Sequence, residues 1–533
     1  MGRKGSSLAI GVFAAFLVAG LASVPALAGD VLTYHNDIAR TGQNLNETIL
    51  TTSNVNSTGF GKLFTMPVDS RVDAQPLYAS SVTIAGATHN VVYVVTENDS
   101  VYAFDADAGT QLWKVSVFLP GETAAAIAPL DCGQIGPTIG VTSTPVIDRS
   151  SGPDGTIYVV AMSEDASGNY YQRLHGLDMT TGLEEFGGPT TIEAQYPGNG
   201  PYSKGGEEIF DPQQYAERAG LLLLNGVIYM GWSSHCDNPP YTGWLMGYSE
   251  STLAQTSVIN LTPNGVEGSI WQSGAAPASD GSNIFVLDAN GTFDTTLNAS
   301  GFPSLGDYGN AFLKVSTTTG LAVADYFALF NTVQQSEKDQ DFGSGGALLL
   351  PAEVDAHGIT RNLAVGAGKD GNIYVVNQTN MGKYNSKTDA IYQVIKGALG
   401  SGMWAMPAYF NGNVYFGPQA GTLKQFTFTT AKLSAAAVSA TSETFAYPGT
   451  IPSISANGTT NGIVWAIEHS SPSVLHAYDA SNLATELYNS SQAAKNRDHF
   501  GAASHFGVPM INNGKVYVGT SDSVAVFGLL TAK

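Results

Sequence analysis

Short apolar segments of alternating polarity, separated by polar and glycine-rich turns, recur along most of the chain. A representative stretch is VVYVVTENDSVYAFDADAGTQLW, from Val91 to Trp113, in which two apolar runs flank a polar turn. Runs of this length, bounded by Gly, Asp and Asn, are typical of β-strands joined by hairpins. The pattern predicts an all-β protein with no amphipathic helix between its strands.

This unit of strands and tight turns recurs eight times. Each copy has three recognisable strands and room for a fourth, and the copies begin at Ala74, Ser143, Ala219, Ser273, Ser344, Ala405, Gly449 and Gly507. Repetition of short strands with glycine-rich turns indicates blades arranged radially around a channel. The sequence therefore predicts a single β-propeller of eight four-stranded blades, with seven blades as the alternative.

The chain begins with the features of a secretory signal peptide. Arg3 and Lys4 precede a short apolar run, and Ala26-x-Ala28 supplies a cleavage site after Ala28. The run is too short to span a membrane, and no later apolar stretch approaches spanning length. We expect residues 1–28 to be removed on export. Residues 29–533 would then form one propeller domain, in the periplasm or outside the cell.

Residues 29–70 precede the first repeat and carry a polar cluster of their own, composed of His35, Asn36, Asp37, Arg40 and Asn44. This segment can add a strand to the last blade, which would close the ring and remove an exposed sheet edge. The cluster has either a functional role or a structural one. A hydrogen-bonded clasp is the favoured interpretation.

Charge and cysteine content limit the classes of partner and of chemistry. The chain has 44 acidic and 23 basic side chains and a formal charge of −21, which disfavours nucleic acid and anionic membranes as partners. Cys132 and Cys236 are the only cysteines, and no Cys-x-x-Cys motif suggests redox exchange or attached haem. In an exported protein they are a candidate disulfide pair.

The first repeat ends in a compact motif, Ala103-x-Asp105-x-x-Ala108-Gly109-x-x-x-Trp113, and weaker forms follow in GLDMTTGLEEF and LKVSTTTG. The motif resembles the tryptophan-docking motif of the quinoprotein alcohol dehydrogenases. The resemblance implies that the Asp and Gly shape a turn and that the Trp wedges between neighbouring blades. Because similar repeats occur in propellers without enzymatic activity, the motif indicates fold more than function.

A longer stretch, residues 271–350, contains IWQSGAAPASDGSNIFVLDANGTFD, then DYGNAFLKVSTTTG, then KDQDFGSGGALLL. The order of these segments is similar to that in the quinoprotein alcohol dehydrogenases. The resemblance implies that Asn290 helps to bind Ca²⁺ beside pyrroloquinoline quinone and that Asp341 is the catalytic base. Asp339 is the alternative base, because the spacing to the family's acidic residues is not clean.

Further site residues follow from the same resemblance and from the residues that a propeller would place at one face of the ring. Trp271 and Arg218, at the predicted mouth of the ring, are expected to bind the cofactor with Asn290. The metal ligands are expected to be Asn290, Asp341 and Glu164, with Asp165 as an alternative to Glu164. Oxygen donors suit Ca²⁺, which would act as a Lewis acid on the quinone, while a carboxylate takes the alcohol proton as hydride leaves.

Each of these residues also has a structural interpretation. Asn290-Gly291 matches a two-residue hairpin turn with positive φ. Asp341 can cap a turn through its own backbone, and Trp271 can be a packing residue. The family's adjacent cysteine pair is missing, since Gly133 follows Cys132.

Two main functions are therefore predicted. The first is an exported dehydrogenase that uses pyrroloquinoline quinone and Ca²⁺ to oxidise a small alcohol or a sugar. The second is a non-catalytic propeller that binds a glycan or another exported protein through one face. A structural envelope protein is a third alternative.

Overall fold

The computed structural model describes residues 1–2, 29–127 and 135–531, which form eight sheets arranged as a propeller ring. The predicted all-β fold with eight blades is confirmed, and the seven-bladed alternative is wrong. Beyond Met1 and Gly2, the predicted signal peptide lies outside the described residues, as does Cys132.

The first four blades follow one another along the chain, and in each the four principal strands pair in sequence order. The strands of blade 1 are Leu77–Ile84, Ala87–Val95, Ser100–Asp105 and Gln111–Ser116. Those of blade 2 are Val146–Asp148, Thr156–Asp165, Tyr170–Asp178 and Thr190–Thr191. Those of blade 3 are Leu222–Leu224, Val227–Ser234, Trp244–Ser249 and Gln255–Asn260. Those of blade 4 are Ala278–Ser279, Asn283–Leu287, Ala311–Ser316 and Ala322–Ala328.

The remaining blades repeat this order, except that the last takes its outer strand from the start of the chain. The strands of blade 5 are Leu348–Leu349, Leu363–Ala367, Ile373–Asn377 and Gln393–Ile395. Those of blade 6 are Ala408–Phe410, Asn413–Phe416 and Lys424–Thr429, with Lys432–Leu433 and Ser439–Ala440 both paired to the third. Those of blade 7 are Ser453–Asn457, Thr460–Glu468, Val474–Asp479 and Glu486–Asn489. Those of blade 8 are Met510–Asn512, Lys515–Gly519, Ser523–Leu529 and Phe60–Pro67.

Additional strands and short helices lie in the loops. Glu122–Ala126 and Thr138–Ile139 extend blade 2, Tyr215–Ala216 extends blade 3, and Gln43–Asn44 pairs with blade 7. Two small hairpins stand apart: Gln195–Pro197 with Glu207–Ile209, and Glu353–Val354 with Thr360–Arg361. A six-residue α-helix, Thr332–Glu337, follows blade 4, and 3₁₀ turns form at Gln272–Gly274, Phe342–Ser344 and Ala494–Asn496. In the described part of the chain, no helix is long and apolar enough to cross a membrane.

The docking motif of the first repeat behaves as the resemblance implies. The Asp105 carboxylate accepts hydrogen bonds from the amides of Asp107 and Ala108, and Gly109 has φ +72°. The Trp113 indole then donates to the carbonyl of Met179, 3.3 Å away in the loop that follows the third strand of blade 2. Trp113 therefore joins two neighbouring blades.

Residues 31–46, which we call the axial segment, contact every blade at or directly before its first strand. Backbone hydrogen bonds of 2.7 to 2.9 Å join Val31, Leu32, Ile38, Ala39, Thr41 and Gly42 to Tyr78, Ile147, Ser279, Leu349, Tyr409 and Ile454, respectively. The side chains of Arg40 and Asn44 donate to the carbonyls of Leu221 and Ile511, in blades 3 and 8. A segment bonded to all eight first strands lies on the axis of the ring.

Arg40 is the most heavily bonded side chain of this segment. Its guanidinium is fully buried, and it donates to the Pro277 carbonyl at 2.9 Å, the Tyr34 carbonyl at 2.8 Å and the Thr33 hydroxyl at 2.8 Å. Burial lowers the pKa of Arg40 to about 10, so it remains charged near neutral pH. The predicted clasp is thus a plug in the centre of the propeller.

Replacing Arg40 with methionine should strongly destabilise the ring. The change leaves several buried carbonyl groups without donors, and each such loss costs about 1–3 kcal/mol. We expect the free energy of unfolding to fall by at least about 3 kcal/mol, measured by urea denaturation. The partly exposed Arg149, which bonds Asp30, is the matched control, and Arg149→Met should lose less than about 1 kcal/mol. Equal losses in the two variants would contradict the central role of the axial segment.

Candidate functional site

A cavity of about 360 Å³ opens at the mouth of the ring. Loops that lead into first strands supply part of its lining, namely Arg218, Trp271, Trp404, Tyr447 and Phe506. The end of the second strand of blade 3 supplies Ser233 and Ser234, and turns between second and third strands supply His235, Cys236, Asp237 and Lys369. The volume lies within the range of small-molecule sites, which combine aromatic walls with a few polar groups.

The cavity is closed on the side of the axial segment. Tyr34 of that segment is buried in a hydrophobic cluster that includes Phe506, and Trp271 and Trp404 pack against the same cluster. The Arg218 guanidinium lies 5.0 Å from the ring centre of Phe506 in a cation–π arrangement. The mouth is therefore a pocket with a floor, not an open channel.

Three side chains from two neighbouring blades meet at one wall. Trp271 precedes the first strand of blade 4, Asp341 and Lys369 belong to blade 5, and Trp271 and Lys369 line the cavity. The Trp271 indole nitrogen donates to Asp341 Oδ2 at 2.8 Å, and Lys369 Nζ lies 3.8 Å from the same oxygen. Lys369 Nζ also contacts Asp339 Oδ1 at 2.5 Å. The structure thus brings together Trp271, Asp341 and Asp339, which were singled out from the sequence, and adds a cation between the two carboxylates.

Burial sets the protonation behaviour of this wall. It raises the pKa of Asp341 to about 7, against the opposing effect of the Lys369 charge. Burial alone would lower the pKa of Lys369, but Asp341 and Asp339 raise it above its ordinary value. Lys369 is therefore a stable cation, and Asp341 changes protonation state near neutral pH.

Hydrogen bonds between successive blade entries hold this wall in place. Ser273 donates to the carbonyl of Ser344, and Ser344 donates to the carbonyl of Met403 at 2.7 Å. Ser273 has φ +52°, so the chain turns sharply directly after Trp271. Asp341 makes no capping hydrogen bond to the turn that it precedes, so its interpretation as a turn cap is wrong.

Asn290 lies beside this cluster, where its amide nitrogen donates to Asp339 Oδ1 at 2.7 Å. The prediction of a positive-φ turn at Asn290-Gly291 is wrong, because neither residue has positive φ. Glycine is required at 291 by close packing instead, since a Cβ there would lie 2.4 Å from the Gly268 amide nitrogen. The amide oxygen Oδ1 of Asn290 is buried without a hydrogen-bond partner among the described residues.

Further unpaired oxygen atoms lie near Asn290. Asp341 Oδ1 and both carboxylate oxygens of Asp288 are likewise buried without a partner in the described part of the chain. Burial and the nearby Asp341 charge raise the pKa of Asp288 well above its ordinary range. Such unpaired groups are costly in a folded protein unless water or a ligand satisfies them.

The other predicted ligands lie elsewhere. Glu164 is near the end of the strand Thr156–Asp165, paired with Thr123 and Tyr170, and does not line the cavity. Asp165 accepts hydrogen bonds from the backbone amides of its own turn, including that of Ser167. Cys236 lies on the rim of the cavity and is disulfide-bonded. Within residues 29–127 and 135–531, no group of three or more His, Cys, Asp or Glu side chains is arranged as a metal site.

Several cavity residues were not assigned from the sequence. Lys369, His235 and Asp237 line the cavity but were given no role, and Asp288, which does not line it, was not singled out. The available signal for Asp288 was its position two residues before Asn290, in LDANG. Lys369 and His235 carry no motif, because their roles depend on where a strand ends at the mouth.

The comparisons with known proteins bear on the fold alone. The sequence matches no protein-family model and no curated protein. Among solved structures, it is similar to the quinohemoprotein alcohol dehydrogenase from Comamonas testosteroni, with TM-score 0.61 and 14% identity over 97% of this chain and 82% of that chain. It is also similar to quinohemoprotein alcohol dehydrogenase ADHIIG from Pseudomonas putida HK5, with TM-score 0.60 and 13% identity over 95% of this chain and 81% of that chain. A europium-containing methanol dehydrogenase gives TM-score 0.57 and 11% identity, over 94% and 98% of the two chains. This protein therefore has the eight-bladed fold of quinoprotein alcohol dehydrogenases, as the sequence motifs indicated.

Asp341→Asn should alter the pH dependence of stability in a defined direction. The carboxyl pKa is about 7 in the folded protein and ordinarily 3.8, so wild type loses stability as pH rises from about 4 to about 7. The neutral amide does not share this loss. We therefore expect the variant to gain stability relative to wild type across that interval, followed by urea denaturation at successive pH values. Asp280→Asn, at an exposed turn of blade 4, is the control, and a parallel pH profile for Asp341→Asn and wild type would contradict the assignment.

Proposed function

We propose that this protein is an oxidoreductase that binds pyrroloquinoline quinone with Ca²⁺ in the mouth cavity and oxidises a hydroxyl group of a small alcohol or sugar. The observation that supports this most strongly is the hydrogen bond from Trp271 to Asp341 beside Lys369. It combines an aromatic side chain, a buried carboxyl group and a fixed cation at one wall of a ligand-sized cavity.

The oxygen atoms beside this wall fit a hard divalent cation. Asn290 Oδ1 and Asp341 Oδ1 are buried and unpaired, and amide and carboxylate oxygens are the donors that Ca²⁺ prefers. Asp339 adds a further carboxylate, bonded to Asn290. These residues would hold the cation. They do not themselves line the cavity, but they are linked to it through Trp271 and Lys369, which do, whereas Glu164 pairs with Thr123 and Tyr170 in blade 2.

The cavity lining also fits a flat anionic cofactor. Trp271 and Trp404 offer aromatic surfaces, and Arg218 and Lys369 offer positive charge that suits carboxylate groups. When bound, the quinone would supply the acceptor for the hydride of the alcohol carbon, and Ca²⁺ would supply Lewis-acid polarisation.

The residues of the chain itself would manage the proton. Trp271 donates to Oδ2 of Asp341, which orients the carboxyl group, and this carboxylate would take the hydroxyl proton of the substrate. The pKa of Asp341 is raised to about 7 by burial in the metal-free protein, and a bound Ca²⁺ would favour the ionised form that a general base needs. The Lys369 ammonium group, 3.8 Å from Oδ2, stabilises the ionised form of the base.

Absorbance titration of purified protein with pyrroloquinoline quinone, with and without CaCl₂, tests this function. We expect micromolar binding that requires Ca²⁺, and reduction of a redox dye when an alcohol or sugar is added. Asn290→Ala and Asp341→Ala should each weaken the Ca²⁺-dependent binding by about tenfold or more, because each removes an oxygen donor. Asn331→Ala is the matched control, since the Asn331 side chain makes no capping hydrogen bond.

The same titration can reject the proposal. Absence of quinone binding in the presence of Ca²⁺ would contradict it, as would binding that both site variants retain. Sugar binding without any dye reduction would instead favour the non-catalytic glycan-binding propeller.

We further propose that the protein is exported, on the strength of the basic start, the apolar run and Ala26-x-Ala28. Expression of the full chain in a bacterial host should yield mature protein that begins at Gly29, determined by intact mass. Retention of Met1 or of residues 2–28 in the purified protein would contradict this proposal.

A further inference from the structure

One wall of the cavity has polar groups that the proposed reaction at Asp341 does not use. His235 and Ser234 both line the cavity, and His235 is 4% exposed. Nε2 of His235 and the hydroxyl of Ser234 are buried without hydrogen-bond partners among the described residues. They belong to blade 3, whereas Asp341 precedes the first strand of blade 5.

The fold holds this wall firmly. The second strand of blade 3, Val227–Ser234, extends beyond its first strand, and Tyr215–Ala216 pairs with its last two residues. The backbone carbonyl of Tyr215 hydrogen-bonds the imidazole of His235. Cys236 and Asp237 follow with φ of +56° and +53°, so the chain turns away directly after His235.

The imidazole is a neutral acceptor under ordinary conditions. Burial lowers the pKa of His235 to about 4, so it stays uncharged near neutral pH. A neutral imidazole that donates through one nitrogen to the Tyr215 carbonyl has an acceptor at the other, which is Nε2. A ligand hydroxyl group is a matching donor, and the Ser234 hydroxyl can donate or accept in return.

These groups distinguish classes of substrate. A monohydric alcohol has one hydroxyl group, which is used at Asp341, and it would leave His235 and Ser234 without a hydrogen bond from the substrate. Sites with buried hydrogen-bonding groups discriminate against ligands that cannot pair with them. A polyol can offer hydroxyl groups to both walls, while the aromatic face of Tyr447 suits the C–H surface of a sugar.

We infer that His235 and Ser234 form a hydroxyl-binding subsite, and that the ligand of this cavity is a polyol or sugar, not a monohydric alcohol. As a substrate assignment, this rests on the proposed function. The binding step itself can be measured without the cofactor.

Ligand-observed NMR titration of the cofactor-free protein with D-sorbitol and 1-hexanol, which have the same number of carbons, tests the subsite. Wild type should bind sorbitol. His235→Phe keeps the ring shape but removes the acceptor, so it should weaken sorbitol binding about 5- to 50-fold while changing hexanol binding less than about threefold. His235→Gln can place an acceptor near the Nε2 position and should retain most of the sorbitol affinity. Ser234→Ala should weaken sorbitol binding in the same direction.

His89→Phe is the control, because His89 pairs with Asp105 in blade 1, away from the cavity. Thermal melting of each variant identifies any that fails to fold, and Ser234→Ala then carries the test. The inference is overturned if wild type does not bind sorbitol, or if His235→Phe and Ser234→Ala leave its affinity unchanged. It is also overturned if His235→Phe weakens quinone binding but not sorbitol binding. If wild type binds sorbitol but does not bind quinone, the proposed function is rejected and the hydroxyl-binding subsite is not.

Discussion

The structure depends on the hydrogen bonding of the axial segment to all eight blades. Each blade forms a hydrogen bond with the axial segment at or directly before its first strand. The segment is therefore a central partner for all blades, in addition to the contacts between neighbouring blades. The buried Arg40 satisfies carbonyl groups from both the segment and blade 4. Because the segment fills the axis, the channel becomes a pocket, and side chains from distant parts of the sequence line one small volume.

Closure of the axis also explains the chemistry of the mouth. Burial raises the pKa of Asp341 and of Asp288, and oxygen atoms of both are left without partners among the described residues. A ligand that supplies a cation and hydrogen-bond donors would relieve this cost, which is why unpaired groups in a native protein mark candidate sites.

Repeats and turns were predictable from the sequence because they are local. All eight repeats correspond to blades, and Trp113 packs between blades as its motif implied. The prediction of a positive-φ turn at Asn290-Gly291 was wrong. Glycine is needed at position 291 because the backbone of Gly268 lies too close for a side chain, not because φ is positive. Lys369 and His235 were missed as site residues because their roles arise from the radial arrangement, which no short motif encodes. Glu164 was chosen for its position within one repeat, and that position does not determine how far it lies from site residues in the other repeats.

The central claim is that the mouth is a cation-assisted quinone site built around Asp341. A crystal structure of the protein grown with pyrroloquinoline quinone and Ca²⁺ is the most direct test. The account predicts a flat tricyclic ligand in the cavity and a cation about 2.3–2.6 Å from oxygen atoms of Asn290 and Asp341. A cavity that contains only ordered water under those conditions, with Asn290 and Asp341 bonded to solvent, would contradict it.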